Sequence, residues 1–225
     1  MLSFLIPQGS KLGAVIFDRD NHYPFTVQNL MWVIFFVGLG ELIYRMVLLR
    51  ELNTGLNSDY LSTDPNMIYD ADDIIELRSK VYNKKDKVAQ LINLLTLRYQ
   101  ASNYSVSDTH QMLNSQLELM QYRLDIEYSS IRYITWLLPT IGFIGTVLGI
   151  SNSLSTAGSK STSDPDFFLS ISIELALAFN TTFLALVMSA ILVFLMHLIT
   201  AKEEIGIESC AKYCLNNFIS RLVSK

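Results

Sequence analysis

Few residues in the apolar parts of this 225-residue chain could move a proton or bind an ion. The polar side chains there are mostly hydroxyls, among them Thr146, Ser153, Thr181, Thr182 and Ser189. A hydroxyl orients water or helps to ligate a cation, but at physiological pH it carries no charge. Carboxylates are rarer. Glu41 stands in the first apolar block four residues before Arg45, a spacing that puts both on one helix face. They are expected as a structural ion pair, because an unpaired charge in such surroundings is expensive. Glu174 stands just before the third block, and neither the second nor the third block has a carboxylate at its centre. A proton or sodium relay through them therefore needs a titrating group from elsewhere. Asp70, Asp72, Asp73 and Glu76 lack the glycine turn and alternating spacing of a calcium loop. Cys210 and Cys214, four apart, are expected as free thiols, and His22, His110 and His197 are scattered. No phosphate loop, nucleophile motif or metal-ligand spacing appears, so neither an enzyme nor a resident metal or cofactor is expected.

The elements that must position these residues are apolar helices. Half of the chain is apolar and only 17% is charged, against roughly a quarter in a soluble domain. A net charge of -4 argues against a nucleic-acid partner. Tyr133 to Ile150 carries no charge, Leu175 to Ile199 none but the weakly basic His197, and Leu30 to Leu49 only Glu41 and Arg45. Each run is about the 20 residues needed to cross ~30 Å of hydrocarbon. The prediction is an all-α integral membrane protein with transmembrane helices at 29–49, 132–153 and 172–200. Trp32 and Trp136 fall near span ends, where amphipathic rings prefer the headgroups. Met1 to Ile6 lacks a basic n-region, so the first helix is expected to stay in the mature protein.

Three crossings let the cations set the orientation. Eight Lys and Arg residues lie between 50 and 131 and four in the tail 201–225, against Lys11 and Arg19 in the N-terminal segment and Lys160 alone in the 154–170 loop. The positive-inside rule makes 50–131 and 201–225 cytoplasmic, and 1–28 and 154–171 extracytoplasmic. The cytoplasmic parts read as long helical extensions. Acidic residues from Asp70 to Glu76 precede Arg78, Lys80, Lys84, Lys85 and Lys87, in the order that suits a helix dipole. A further helix begins near Ser107 and runs through Leu113, Leu117, Met120, Leu124, Tyr128 and Ile131 straight into the second span, ~70 Å by residue 153. Asp164-Pro165-Asp166 reads as the start of the third.

The spans carry matching stripes. Thr135, Pro139, Gly142, Thr146, Gly149 and Ser153 recur at intervals of four and three, as do Glu174, Ala178, Thr182, Ala185 and Ser189. In lipid, such small and hydroxyl faces mark where helices pack closely. They serve as packing seams, as the inward faces of a pore or partner site formed by several copies, or as both.

Pro139-Thr-Ile-Gly142-Phe-Ile-Gly145-Thr146-Val147-Leu-Gly149-Ile150-Ser-Asn152-Ser153 resembles the second-helix signature of the MotA/TolQ/ExbB proton-channel family, P-x-x-G-x-x-G-T-V-x-G-I followed by Asn-Ser. Ala178-Phe-Asn-Thr181-Thr182-Phe-Leu-Ala185-Leu186 is similar to its A-x-x-x-T-x-x-G-L segment, with Ala185 in place of glycine. Three helices, a cytoplasmic loop of about eighty residues and a short tail resemble the TolQ and ExbB layout. The resemblance implies a ring-shaped homo-oligomer, a pentamer, in the bacterial inner membrane. Its second and third helices would line a channel around two copies of a single-span ExbD/TolR/MotB-like subunit carrying the ionisable aspartate. Flow of H+ or Na+ would then drive mechanical work. By position, Thr146 and Thr182 match the two pore-facing threonines; the family's acidic residue one turn before the second is Leu177 here, with Glu174 a displaced substitute, and its late proline is absent near Ile191. The implied function is a stator subunit of a Ton- or Tol-like transducer. A phage-defence or gliding stator is an alternative, as is a scaffold that conducts nothing.

Overall fold

The computed structural model describes residues 26–64, 67–84, 86–161 and 164–223. Most of the N-terminal segment expected outside the membrane, with Lys11, Arg19 and His22, lies outside the described residues, as does Lys85. Among those described, the chain is helical with no strand. The helices are α1 Val27–Leu56, α2 Ala71–Val81, α3 Lys87–Ala101, α4 Val106–Glu127, α5 Ser129–Ser159 and α6 Phe167–Asn217, followed by a 3-10 turn Ile219–Arg221. Three helical stretches are long and apolar enough to cross a membrane: α1, α4 with α5, and α6.

The chain divides into two compact units. The first holds residues up to Leu42 and Ser129–His197, hence the first half of α1, all of α5 and most of α6. Here α1 approaches both other helices at Gly38, where a Cβ would lie 3.0 Å from Ile134 and Leu192. The large side chains face outward: Val33, Phe143, Phe179, Phe183 and Phe194 are all exposed. Outward apolar faces cost nothing where the surroundings are acyl chains.

The second unit, Ile43–Tyr128 with Leu198–Lys225, has an ordinary core. Ile74, Leu77 and Val81 of α2 and Leu91, Ile92, Leu95 and Tyr99 of α3 pack with Leu113, Cys210, Cys214, Phe218 and Ile219. Both cysteines are free. Asp86 caps α3 by accepting from Ala89 N at 2.8 Å, and Ser105 caps α4 through Asp108 N at 3.2 Å. The turn between them sets Asn103 and Tyr104 at positive φ, and the Tyr104 ring meets Tyr99 edge-on. The tail is tied down by Tyr99, whose hydroxyl donates to Val223 O at 2.6 Å, and by Arg221, which donates to Ser62 O at 2.6 Å.

The helix read from Ser107 into the second span runs from Val106 to Ser159, with Tyr128 a single turn-like residue whose N–H still makes the helical bond to Leu124 O at 3.1 Å. One expectation is corrected. The acidic-to-basic run is not one helix: α2 ends at Val81, and Lys87 opens α3 beside its cap Asp86. Asp164-Pro165-Asp166 leads directly into the third helix as read from the sequence: the Asp164 side chain accepts from Asp166 N at 3.0 Å, and α6 starts at Phe167.

Candidate functional site

In the first unit α5 and α6 run antiparallel along their small-residue faces. A Cβ at Gly142 would strike that of Ala185 and lie 3.2 Å from Thr182 Cα. At Gly145 it would come within 2.7 Å of Thr181 Oγ1, and at Gly149 within 2.6 Å of Ala178 Cβ. No side chain fits at those distances, so these positions set how near the two backbones come. Ala178 and Ala185 are fully buried on the facing helix.

Proline has no N–H to give, so Pro139 inside α5 leaves the carbonyl of Thr135, one turn earlier, without its helical donor. Ser189 supplies one from α6, donating to Thr135 O at 2.8 Å. Thr135 in turn donates to Arg132 O at 2.8 Å. Beyond the other end of the glycine series, Ser153 donates to Ile171 O at 3.2 Å.

Midway along the seam the hydroxyls of Thr146 and Thr182 touch. Thr182 donates to Gly142 O at 2.9 Å, and Thr146 Oγ1 lies 3.1 Å from Ala178 O and 3.3 Å from Gly142 O. Thr181 donates to Ala178 O at 2.7 Å. Three hydroxyls and two backbone carbonyls thus converge, with Thr146 and Thr182 half-buried and Thr181 buried. Each hydroxyl has one proton to donate and two lone pairs to accept with. Such an oxygen cluster can orient a water or contribute ligands to a small hard cation, but it has no charge of its own. Glu174 is half-buried one turn before Ala178, and its Oε2 is buried without a hydrogen bond to the protein.

Arg45 belongs to the second unit. Its guanidinium bonds Glu127 and lies over the ring of Tyr128, 5.2 Å from the centroid. Glu203 and Tyr128 are buried in the same unit, and burial raises the Glu203 carboxyl and pushes the Tyr128 phenol up to about 12. The sequence singles out none of Glu127, Tyr128 and Glu203 for this site. The Ser189 bond had a signal: Pro139 on a seam face calls for a donor opposite Thr135. Among the described residues, no group of three or more His, Cys, Asp or Glu side chains is placed to hold a metal.

Residues 84–209, more than half of the chain, match the MotA/TolQ/ExbB proton channel family. No curated protein and no solved structure matches.

Proposed function

Since this chain belongs to the MotA/TolQ/ExbB proton channel family, whose members are membrane proteins that work with single-span partner subunits, we propose that it is the ring-forming stator subunit of an inner-membrane motor driven by a proton or sodium gradient. The observation that carries this reading is the oxygen cluster of Thr146, Thr181 and Thr182 at the middle of two apolar helices that have no carboxylate at their centre. Hydroxyls in such a place hold the transported ion or its water for an instant, while the charge is taken up by an ionisable group on the partner. Glu174, one turn before Ala178 on the same helix, has an oxygen free of protein hydrogen bonds.

In this reading five copies surround two partner helices, with residues 50–131 and 201–225 in the cytoplasm. A transducer, a gliding machine and a phage-defence system differ in what the partner is joined to.

A specific observation favours a second reading, a scaffold that conducts nothing. The threonine hydroxyls already have carbonyl partners across the seam, as packing alone would require. The experiment that separates the two reconstitutes the chain in liposomes with the single-span protein that co-purifies with it and follows internal pH under an imposed gradient. Thr182→Val and Thr146→Val should each abolish flux while native mass spectrometry still finds five copies of 25.5 kDa, about 128 kDa. Flux unchanged in both variants, or a chain that stays monomeric in mild detergent, overturns the motor reading.

A further inference from the structure

One guanidinium in the second unit faces two carboxylates. Arg45, from α1, is 5% exposed, and it bonds Glu127, the last residue of α4, whose side chain is 47% exposed. Glu203, from α6, is 7% exposed, and its Oε2 makes no hydrogen bond to the protein. Besides burial, the groups that act on Glu203 are the neighbouring Tyr128 phenol, Arg45 from α1 and Lys87 from the start of α3, which favour its ionised form, and Glu127 from α4, which opposes it. On its own helix Thr200 adjoins the same phenol. The better-solvated carboxylate therefore has the cation, and the buried one has an oxygen without a partner. A carboxyl in that position avoids the cost of a buried charge by keeping its proton, unless a cation turns to meet it.

We propose that Glu203 is a proton-binding site whose occupancy decides which carboxylate Arg45 holds. With Glu203 protonated, Arg45 clamps Glu127, and with it the end of α4, as in this structure. When Glu203 loses its proton to water, the electron pair stays on the carboxylate, Arg45 turns to meet the new charge, and Glu127 is released to solvent. Tyr128 adjoins both groups: its ring underlies the guanidinium, and its phenol acts on Glu203. Burial of Glu203 works in the same direction, raising its carboxyl above the usual range, so that exchange falls at a less acid pH than for an exposed glutamate. The ligand is the proton itself, and the site goes beyond the ion pathway proposed above without depending on it.

Hydrogen–deuterium exchange of the full chain in nanodiscs tests this, read at residues 122–130 from about pH 5 to about pH 9 after correction for intrinsic rates. Protection in the wild type should fall several-fold as pH rises. Glu203→Gln, neutral at every pH, should hold the low-pH level throughout. Glu127→Gln, which removes the released partner, should show no pH-dependent change in this segment. Wild-type protection that does not vary with pH, or a variation that persists in Glu203→Gln, overturns the proposal. If Glu203→Gln does not fold, Glu203→Asp takes its place: the shorter acid should move the midpoint, and an unmoved midpoint overturns the proposal as surely.

Discussion

The seam between α5 and α6 and the bundle of α2, α3 and α4 are both helix-to-helix contacts, yet they bury opposite residues. The seam hides Gly142, Gly145, Gly149, Ala178 and Ala185 and turns Phe143, Phe179 and Phe183 outward. The bundle hides Ile74, Ile92, Leu95 and Leu113 and turns charge outward. The difference lies in what surrounds each. In water, packing is driven by removing apolar area from the solvent, so large side chains go inside. In hydrocarbon that drive vanishes, and what remains is close backbone approach with hydroxyl-to-carbonyl bonds across it.

The contrast makes its largest demand on two substitutions of opposite sense. Gly149→Leu drives a side chain into a space where a Cβ alone would sit 2.6 Å from Ala178, and should cost about 3 kcal/mol. Leu95→Ala, fully buried in the bundle, should cost a comparable ~3 kcal/mol by leaving a cavity. Thermal unfolding in one detergent compares them. The comparison breaks if Gly149→Leu leaves Tm unchanged, because the seam is then not close-packed.

A second, smaller effect sharpens the comparison by pH. Burial raises the Glu203 carboxyl above its ordinary value of 4.5, so folding favours its protonated form. That contribution is complete below the unfolded value and is lost as pH rises through the folded one. Wild-type Tm should therefore decline more steeply above about pH 4.5 than that of Glu203→Gln. The seam variants Ser189→Ala and Thr146→Val should show the wild-type slope, since neither group titrates. Parallel slopes for wild type and Glu203→Gln would show that Glu203 is not held in a raised state.

The sequence displays the three apolar helices and the seam because both are local patterns. An uncharged run of sufficient length leaves the backbone no alternative in hydrocarbon, and intervals of three and four put Gly142, Thr146 and Gly149 on one face. The helix through Leu124, Tyr128 and Ile131 is local in the same way, and the structure follows that period with one turn-like residue at Tyr128. The contact of Arg45 with Glu127 is hidden: the two are 82 residues apart, and only the fold brings them together. The contact of Thr146 with Thr182 stands between these cases: each stripe is plain in the sequence, but the antiparallel register that sets the two at one level belongs to the fold.

The smallest effect isolates one bond of the seam. Ser189→Ala removes the donor to Thr135 O and should cost about 0.6 kcal/mol, up to ~2, the range for a single interhelical bond in a membrane. That value alone does not separate the bond from lost packing, so the informative measurement is a double-mutant cycle with Pro139→Ala. Alanine at 139 restores an N–H one turn below Thr135, and the helix satisfies its own carbonyl. If Ser189 is retained because Pro139 strips that carbonyl of its donor, Ser189→Ala should be close to neutral in the Pro139→Ala background. An equal cost in both backgrounds would mean that Ser189 acts by size alone, and the seam would then be held by close packing without the hydroxyl bonds that distinguish it from the bundle.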